Sequence, residues 1–202
     1  MITVAVVDDH HAVRLGLRTA LLSEPGLEPV GSAGDAGEAA VLMYRTRPDV
    51  VLLDYRLPDT DGLTLCRRLK SDVPAPAVVL YSAFADASMT VPAIVAGADA
   101  IVHKGGQTRE LFDAIRQTAR GDKALPPVSE PLLEAAAQAL DPEDLPLLGM
   151  LVNRTSPADI AATMRLERAE LDRRIAGMLG RLKVPVTAAS HSPSGLVSND
   201  GP

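Results

Sequence analysis

The run Val50-Val51-Leu52-Leu53 is apolar at every position, so a strand built from it has no polar face to offer to water. Only a sheet covered on both sides accepts such a strand, which points to parallel strands with helices packed on each face. Similar short apolar runs recur at residues 2–7, 29–33, 77–81 and 100–102. The segments between them carry helical spacing, as in Val13, Leu17, Ala20 and Leu21, or Leu111, Ile115 and Ala119. Five strands alternating with five helices predict an α/β fold over residues 1–121, a doubly wound five-stranded parallel sheet. With 2% aromatic residues and no Trp, its core must be built from Ala, Val, Leu and Ile, which suits helices on a sheet.

Gly121, Pro126, Pro127 and Pro131 form a breaker-rich stretch that ends the fifth helix, and residues 122–139 are expected to be a linker. Its Ala-rich end, 132–140, predicts a short connecting helix. Three more helices are expected at 142–152, 157–164 and 168–182. Pro142 and Pro157 stand where a first helical turn tolerates proline, with Asp141 and Ser156 as candidate N-caps. Residues 140–184 thus form a small all-α unit. From 185 to 202 the Pro, Ser, Gly, Thr and Asn content predicts a disordered tail. The longest uncharged stretches are interrupted by Pro and fall short of the ~20 apolar residues of a spanning helix. The single Cys66 excludes an intramolecular disulfide and reads as a small core residue, and no basic segment leads into an apolar N-terminal core. A soluble, cytoplasmic protein without membrane contact is expected.

In an open parallel sheet, ligands bind beyond the carboxyl ends of the strands. The first strand ends at Asp8 and Asp9, the third at Asp54, the fourth at Ser82 and the fifth at Lys104. Three carboxylates, a hydroxyl and an ammonium are thereby delivered to one edge. A carboxylate accepts a phosphoryl group when a divalent cation and a fixed cation neutralise the charge on the transferred oxygens. Asp54 is the central candidate, because its strand lies mid-sheet. Asp9 and Asp54 would ligate Mg²⁺ directly, with Asp8 acting directly or through water, Lys104 would pair with the acyl phosphate, and Ser82 would donate to one of its oxygens. The neighbouring His10 and His11 point in different directions from a helix start and are assigned a structural or surface role.

At these positions the chain resembles the receiver domains of two-component response regulators. The matching pieces are Val6-Val7-Asp8-Asp9-His10, Leu52-Leu53-Asp54-Tyr55-Arg56-Leu57-Pro58 with Gly62, Leu80-Tyr81-Ser82-Ala83, and His103-Lys104. The resemblance covers roughly the first 120 residues. It implies that a sensor histidine kinase phosphorylates Asp54, that the backbone carbonyl of Arg56 completes the Mg²⁺ coordination, and that the chain is no independent enzyme beyond its own phosphoryl transfer and dephosphorylation. Such receivers commonly carry Tyr or Phe three residues before the lysine, where this chain has Ile101. Tyr81 is no substitute, because neighbouring strand residues point to opposite faces.

Residues 140–184 resemble the LuxR-type helix-turn-helix, with Leu147, Leu148, Ile160, Met164, Leu171, Ile175, Leu179, Leu182 and Val184 at its apolar positions. The resemblance implies a DNA-binding output that controls transcription, with Arg173 and Arg174 as candidate contacts. Charge argues against tight DNA binding: seven basic residues, Arg154, Arg165, Arg168, Arg173, Arg174, Arg181 and Lys183, stand against seven acidic ones. Asp172 and Ala176 occupy positions that are commonly basic or polar in the family and face DNA, and Pro185 stands where a dimerisation helix would begin. Two outputs follow, DNA binding or contact with a protein partner, and a homodimer remains open.

Overall fold

The computed structural model describes residues 1–72, 74–83 and 85–182. The expectations for Lys183, Val184, Pro185 and the 185–202 tail lie outside the described residues.

Strands β1 (Ile2–Val7), β2 (Leu27–Ala33), β3 (Val50–Leu53), β4 (Ala77–Ser82) and β5 (Ala100–His103) form one parallel sheet in the order β2-β1-β3-β4-β5. All four residues of β3 are buried, as its apolar run requires. Alternate residues serve two cores. Val7, Val51, Leu53 and Leu80 face α2 (Ala36–Thr46), α3 (Gly62–Ser71) and α4 (Thr90–Ala96), whereas Val6, Leu52 and Val79 face α1 (His11–Ser23) and α5 (Thr108–Ala119).

β2 begins two residues before the expected start at Pro29. It is an edge strand, where a proline removes no obligatory ladder bond, and its register against β1 shifts between Val4 and Ala5 next to that proline.

The helical part comprises α6 (Glu130–Gln138), α7 (Leu145–Val152), α8 (Pro157–Met164) and α9 (Arg168–Arg181). Ser156 caps α8, accepting from the Asp159 amide at 3.1 Å. Asp141 makes no side-chain cap. Residues Pro142–Asp144 form a 3₁₀ turn before α7, and the Asp141 carboxylate pairs with Arg181 at 3.0 Å instead. Asp144, at the end of that turn, is buried with Arg174 at 2.7 Å and Arg181 at 2.5 Å, tying the start of the helical part to α9. Leu147, Leu148, Ile160, Leu171, Ile175, Met178 and Leu179 join the core on the α3–α4 side of the sheet. Among the described residues no helix is long and apolar enough to cross a membrane.

Candidate functional site

Parallel pairing brings the carboxyl ends of β1, β3, β4 and β5 to one edge. Asp54 directly follows Leu53, which pairs with Val7 and with Leu80, so its strand lies between those that end at Asp8 and at Ser82. Its backbone is fixed on both sides. The Asp54 amide donates to the Val7 carbonyl at 2.8 Å, and the Gly62 amide donates to the Tyr55 carbonyl at 2.7 Å. The second contact demands glycine, because a Cβ at position 62 would lie 2.2 Å from the Asp54 carbonyl oxygen and 2.8 Å from the Tyr55 Cα. Asp61 then starts α3 by accepting from the Thr64 amide at 2.8 Å.

Asp8 and Asp54 are both buried and share one cation: the Lys104 ammonium lies 2.7 Å from Asp8 Oδ2 and 2.8 Å from Asp54 Oδ2. Asp54 Oδ1 accepts from the Tyr55 amide at 2.7 Å. Burial pushes the Asp54 carboxyl above its ordinary value, with the charge of Asp8 acting the same way and Lys104 pulling against both. Burial pulls the Lys104 ammonium down, but its bonds to Asp54 and Asp8 more than compensate and hold it above its ordinary value. Lys104 is therefore held charged while its carboxylate partners remain in surplus.

Asp9 is exposed at the rim. A ligating atom from each of Asp8, Asp9, His10 and Asp54 falls within a 4.8 Å spread. Three carboxylates facing one ammonium leave two negative charges uncompensated, and oxygen donors in surplus charge suit a hard divalent cation. His10, assigned a structural or surface role from sequence, lies with its Nδ1 at 2.5 Å from Asp9 Oδ1, whereas His11 turns towards Arg14. Arg56 is exposed, and its backbone forms an isolated antiparallel β-bridge with that of Asp61 in the loop after Asp54. Ser82 is fully buried at the end of β4, where its carbonyl accepts from the Lys104 amide at 3.0 Å. The structure thus gathers Asp8, Asp9, Asp54 and Lys104, with Ser82 on the adjoining strand end.

Arg14 was not singled out in the sequence. Its guanidinium donates to the carbonyls of Asp8 at 2.6 Å and Asp9 at 3.1 Å, holding the acidic turn in place. An arginine on the first turns of a helix after an acidic pair is the signal that could have found it. Asp59 was also missed; it accepts from the Ala36 amide at 3.1 Å and ties the loop after Asp54 to the start of α2.

Ile101 packs into the core on the α3–α4 side. Tyr81 packs on the opposite side against α1 and α5, its hydroxyl donating to the Lys104 carbonyl at 3.4 Å. Cys66 is wholly buried, and burial pushes its thiol up to about 12, so it is a core residue with no thiolate to offer near neutral pH.

The two candidate DNA contacts are both paired. Arg174 bonds buried Asp144 and the Glu143 carbonyl, and Arg173 pairs with Glu170 on the exposed surface of α9. Asp172 binds Arg67 of α3 and Arg168 of its own helix.

A sequence model of the response regulator receiver domain matches residues 4–116. The DNA-binding transcriptional activator DevR/DosR of Mycobacterium tuberculosis is 33% identical over 192 residues, covering 90% of this chain and 88% of that protein. The response regulator protein VraR of Staphylococcus aureus is 25% identical over 190 residues, covering 91% of each. A crystal structure of a LuxR-family two-component response regulator from Aurantimonas superposes with a TM-score of 0.59 at 31% identity, covering 67% of this chain and 97% of that one.

Proposed function

This chain belongs to the response regulators, and from that premise we propose that Asp54 accepts a phosphoryl group from a phosphohistidine of a sensor kinase, and that the helical part passes the signal to transcription. A carboxylate oxygen of Asp54 attacks phosphorus, the P–N bond to the kinase imidazole breaks, and a P–O bond forms. The observation that carries this reading is the shared ammonium of Lys104, a fixed cation already placed between two buried carboxylates. On phosphorylation it would keep Asp8 as one partner and take a phosphoryl oxygen as the other. The Ser82 hydroxyl, at the adjoining strand end, would donate to a second oxygen. Asp8, Asp9 and Asp54, with the Arg56 carbonyl, would hold Mg²⁺, which supplies neutralisation of charge on the transferred oxygens when bound. Arg14 keeps the two acidic residues in register for that role.

Intact-mass measurement with a small phosphodonor and Mg²⁺ tests the assignment: one phosphoryl group on the wild-type chain and none on Asp54→Asn. Equal labelling of both chains, or no labelling of the wild type, refutes it.

Transcriptional control is supported by the length of chain shared with DevR/DosR. A second reading, contact with a protein partner, is favoured by Arg174 being engaged by Asp144 and Asp172 by Arg67. A mobility-shift assay of the full chain on genomic fragments, with and without phosphodonor, separates the two. Sequence-selective shifts support DNA binding, and their absence in a chain shown to be labelled supports the protein partner.

A further inference from the structure

Helix α4 has seven residues, Thr-Val-Pro-Ala-Ile-Val-Ala, of which all but Ile94 are buried. A helix on the surface of a sheet shows one face to water; a helix buried all round lies inside a structure. What closes α4 off is the helical part, since α6, α7 and α9 all pack on it and α9 also packs on α3. Val91, Ala93, Val95 and Ala96 of α4 belong to the same apolar core as Leu140, Leu147, Ile175 and Met178. α7, α8 and α9, of 8, 8 and 14 residues, form a unit too small to bury a sizeable core by itself. α7, Leu-Pro-Leu-Leu-Gly-Met-Leu-Val, carries no charged residue and buries Leu147 and Leu148, while Leu145 and Pro146 at its start are exposed.

One ion pair fixes the register. Arg67, alone among the described arginines, is buried, and its guanidinium meets the Asp172 carboxylate of α9. Separation would return both groups to water, so this pair fixes which residues of α3 and α9 meet, while the apolar contact is what holds the two units together. The residue that reads in sequence as a wrongly signed DNA contact is thus turned towards the N-terminal unit.

We propose that α6–α9 are not a releasable output domain but a fixed cover over the α3–α4 face, registered by Arg67 and Asp172, so that the two units open and respond as one body. The inference rests on packing and does not depend on the phosphoacceptor reading. Its consequence is that a displacement of α4 moves α7 and α9 directly, by contact.

Hydrogen exchange of the full chain, read by mass spectrometry, tests it. Segments covering α4, α7 and α9 are expected to share one slow opening with a common denaturant dependence, and Asp172→Ala to accelerate all of them together, by tenfold or more. Exchange of α7 and α9 a hundredfold faster than α4 in the wild type, or acceleration of α9 alone in Asp172→Ala, overturns the inference. The double variant Arg67→Met/Asp172→Leu removes both charges while keeping apolar bulk, and is expected to retain the common opening; independent exchange of α9 in it also overturns the inference. Chain labelled by a phosphodonor, with labelling scored by intact mass in the same sample, is expected to keep α4 and α9 protected together. Selective loss of α9 protection on labelling refutes the fixed cover.

Discussion

Replacing Lys104 by Met keeps most of the stem and removes the ammonium that Asp8 and Asp54 share. The structure sets the size of the effect. Both carboxylates are at most 5% exposed and lie 2.7 and 2.8 Å from the same nitrogen, so the variant leaves two like charges buried beside each other. Breaking a buried pair by removing one partner costs about 3–5 kcal/mol. Exposed Asp9 lets water reach the rim of this site, which places the expected loss near the lower end, about 3 kcal/mol. For a chain of this size that corresponds to a fall in Tm of roughly 6–12 °C. Urea unfolding at neutral pH, with the slope compared between variant and wild type, measures it.

Two further arms identify the cause of that loss. Asp54 already titrates above its ordinary value because it is buried, and removing Lys104 removes the cation that opposes this shift. A carboxyl that binds its proton more tightly folded than unfolded imposes its penalty fully above the folded pKa. That penalty is relieved as pH falls through the raised value towards the ordinary one of 3.8. The deficit of Lys104→Met should therefore shrink over that window. Millimolar Mg²⁺ should also stabilise the variant more than the wild type, since a divalent cation replaces the missing positive charge. A loss under about 1 kcal/mol, too small for a broken buried pair, or a loss indifferent to both pH and Mg²⁺, would refute the reasoning.

Gly62→Ala places a Cβ against the Asp54 carbonyl and should cost about 3 kcal/mol, at the upper end for overpacking because backbone rather than a side chain must yield; phosphodonor labelling should slow with it, and a normal melt with normal labelling would count against the close approach. Arg174→Ala should lower stability by about 2 kcal/mol, leaving buried Asp144 with Arg181 alone, whereas Arg173→Ala on the exposed surface should change it by less than about 0.5 kcal/mol; equal melting shifts would contradict this division. DNA binding by the full chain should show a log–log salt slope no steeper than about −4.5, with Arg154, Arg165, Arg168, Arg173 and Lys183 contributing about −0.9 each. A slope beyond about −5 would show that Arg174 and Arg181 leave Asp144 for phosphates.

The sheet was legible because β3 and its neighbours are apolar on both faces, a pattern that has few other uses. The candidate site was legible because a parallel sheet sends every strand end to one edge, so the residues at the ends of four of the five apolar runs can be collected without knowing any contact. Edge behaviour was less visible: β2 runs through Pro29 from Leu27, where a central strand would have been interrupted. Asp141 reads as a cap from its place before Pro142, yet it pairs with Arg181 some forty residues away. Arg67–Asp172 and Asp144–Arg174 had no local signal at all, since their partners lie 105 and 30 residues apart and each member sits on its helix like an ordinary surface charge. Sequence counting gave the helical part no net charge; the structure shows that several of those charges are engaged inside the fold rather than presented to a polyanion.

The absence of an aromatic residue at position 101 has its counterpart in how Asp54 is joined to α9. Ile101 sits in the core and offers no hydrogen bond, and Tyr81 faces the other side of the sheet, so β4 and β5 provide no aromatic group that could swing between two positions on the α4 side. α3 provides a stiffer connection. The amide of Gly62 is bonded to the carbonyl of Tyr55, the residue after Asp54, and Gly62 opens the helix whose Arg67 holds Asp172. The first turn of α3 is therefore in direct contact with the backbone that follows Asp54, and the same helix carries the residue that meets α9. Spatial continuity alone does not establish coupling. What distinguishes this route is that its two ends are directional contacts between named groups, the Gly62 amide on the Tyr55 carbonyl and the Arg67 guanidinium on the Asp172 carboxylate, so a displacement of α3 would have to alter one or the other.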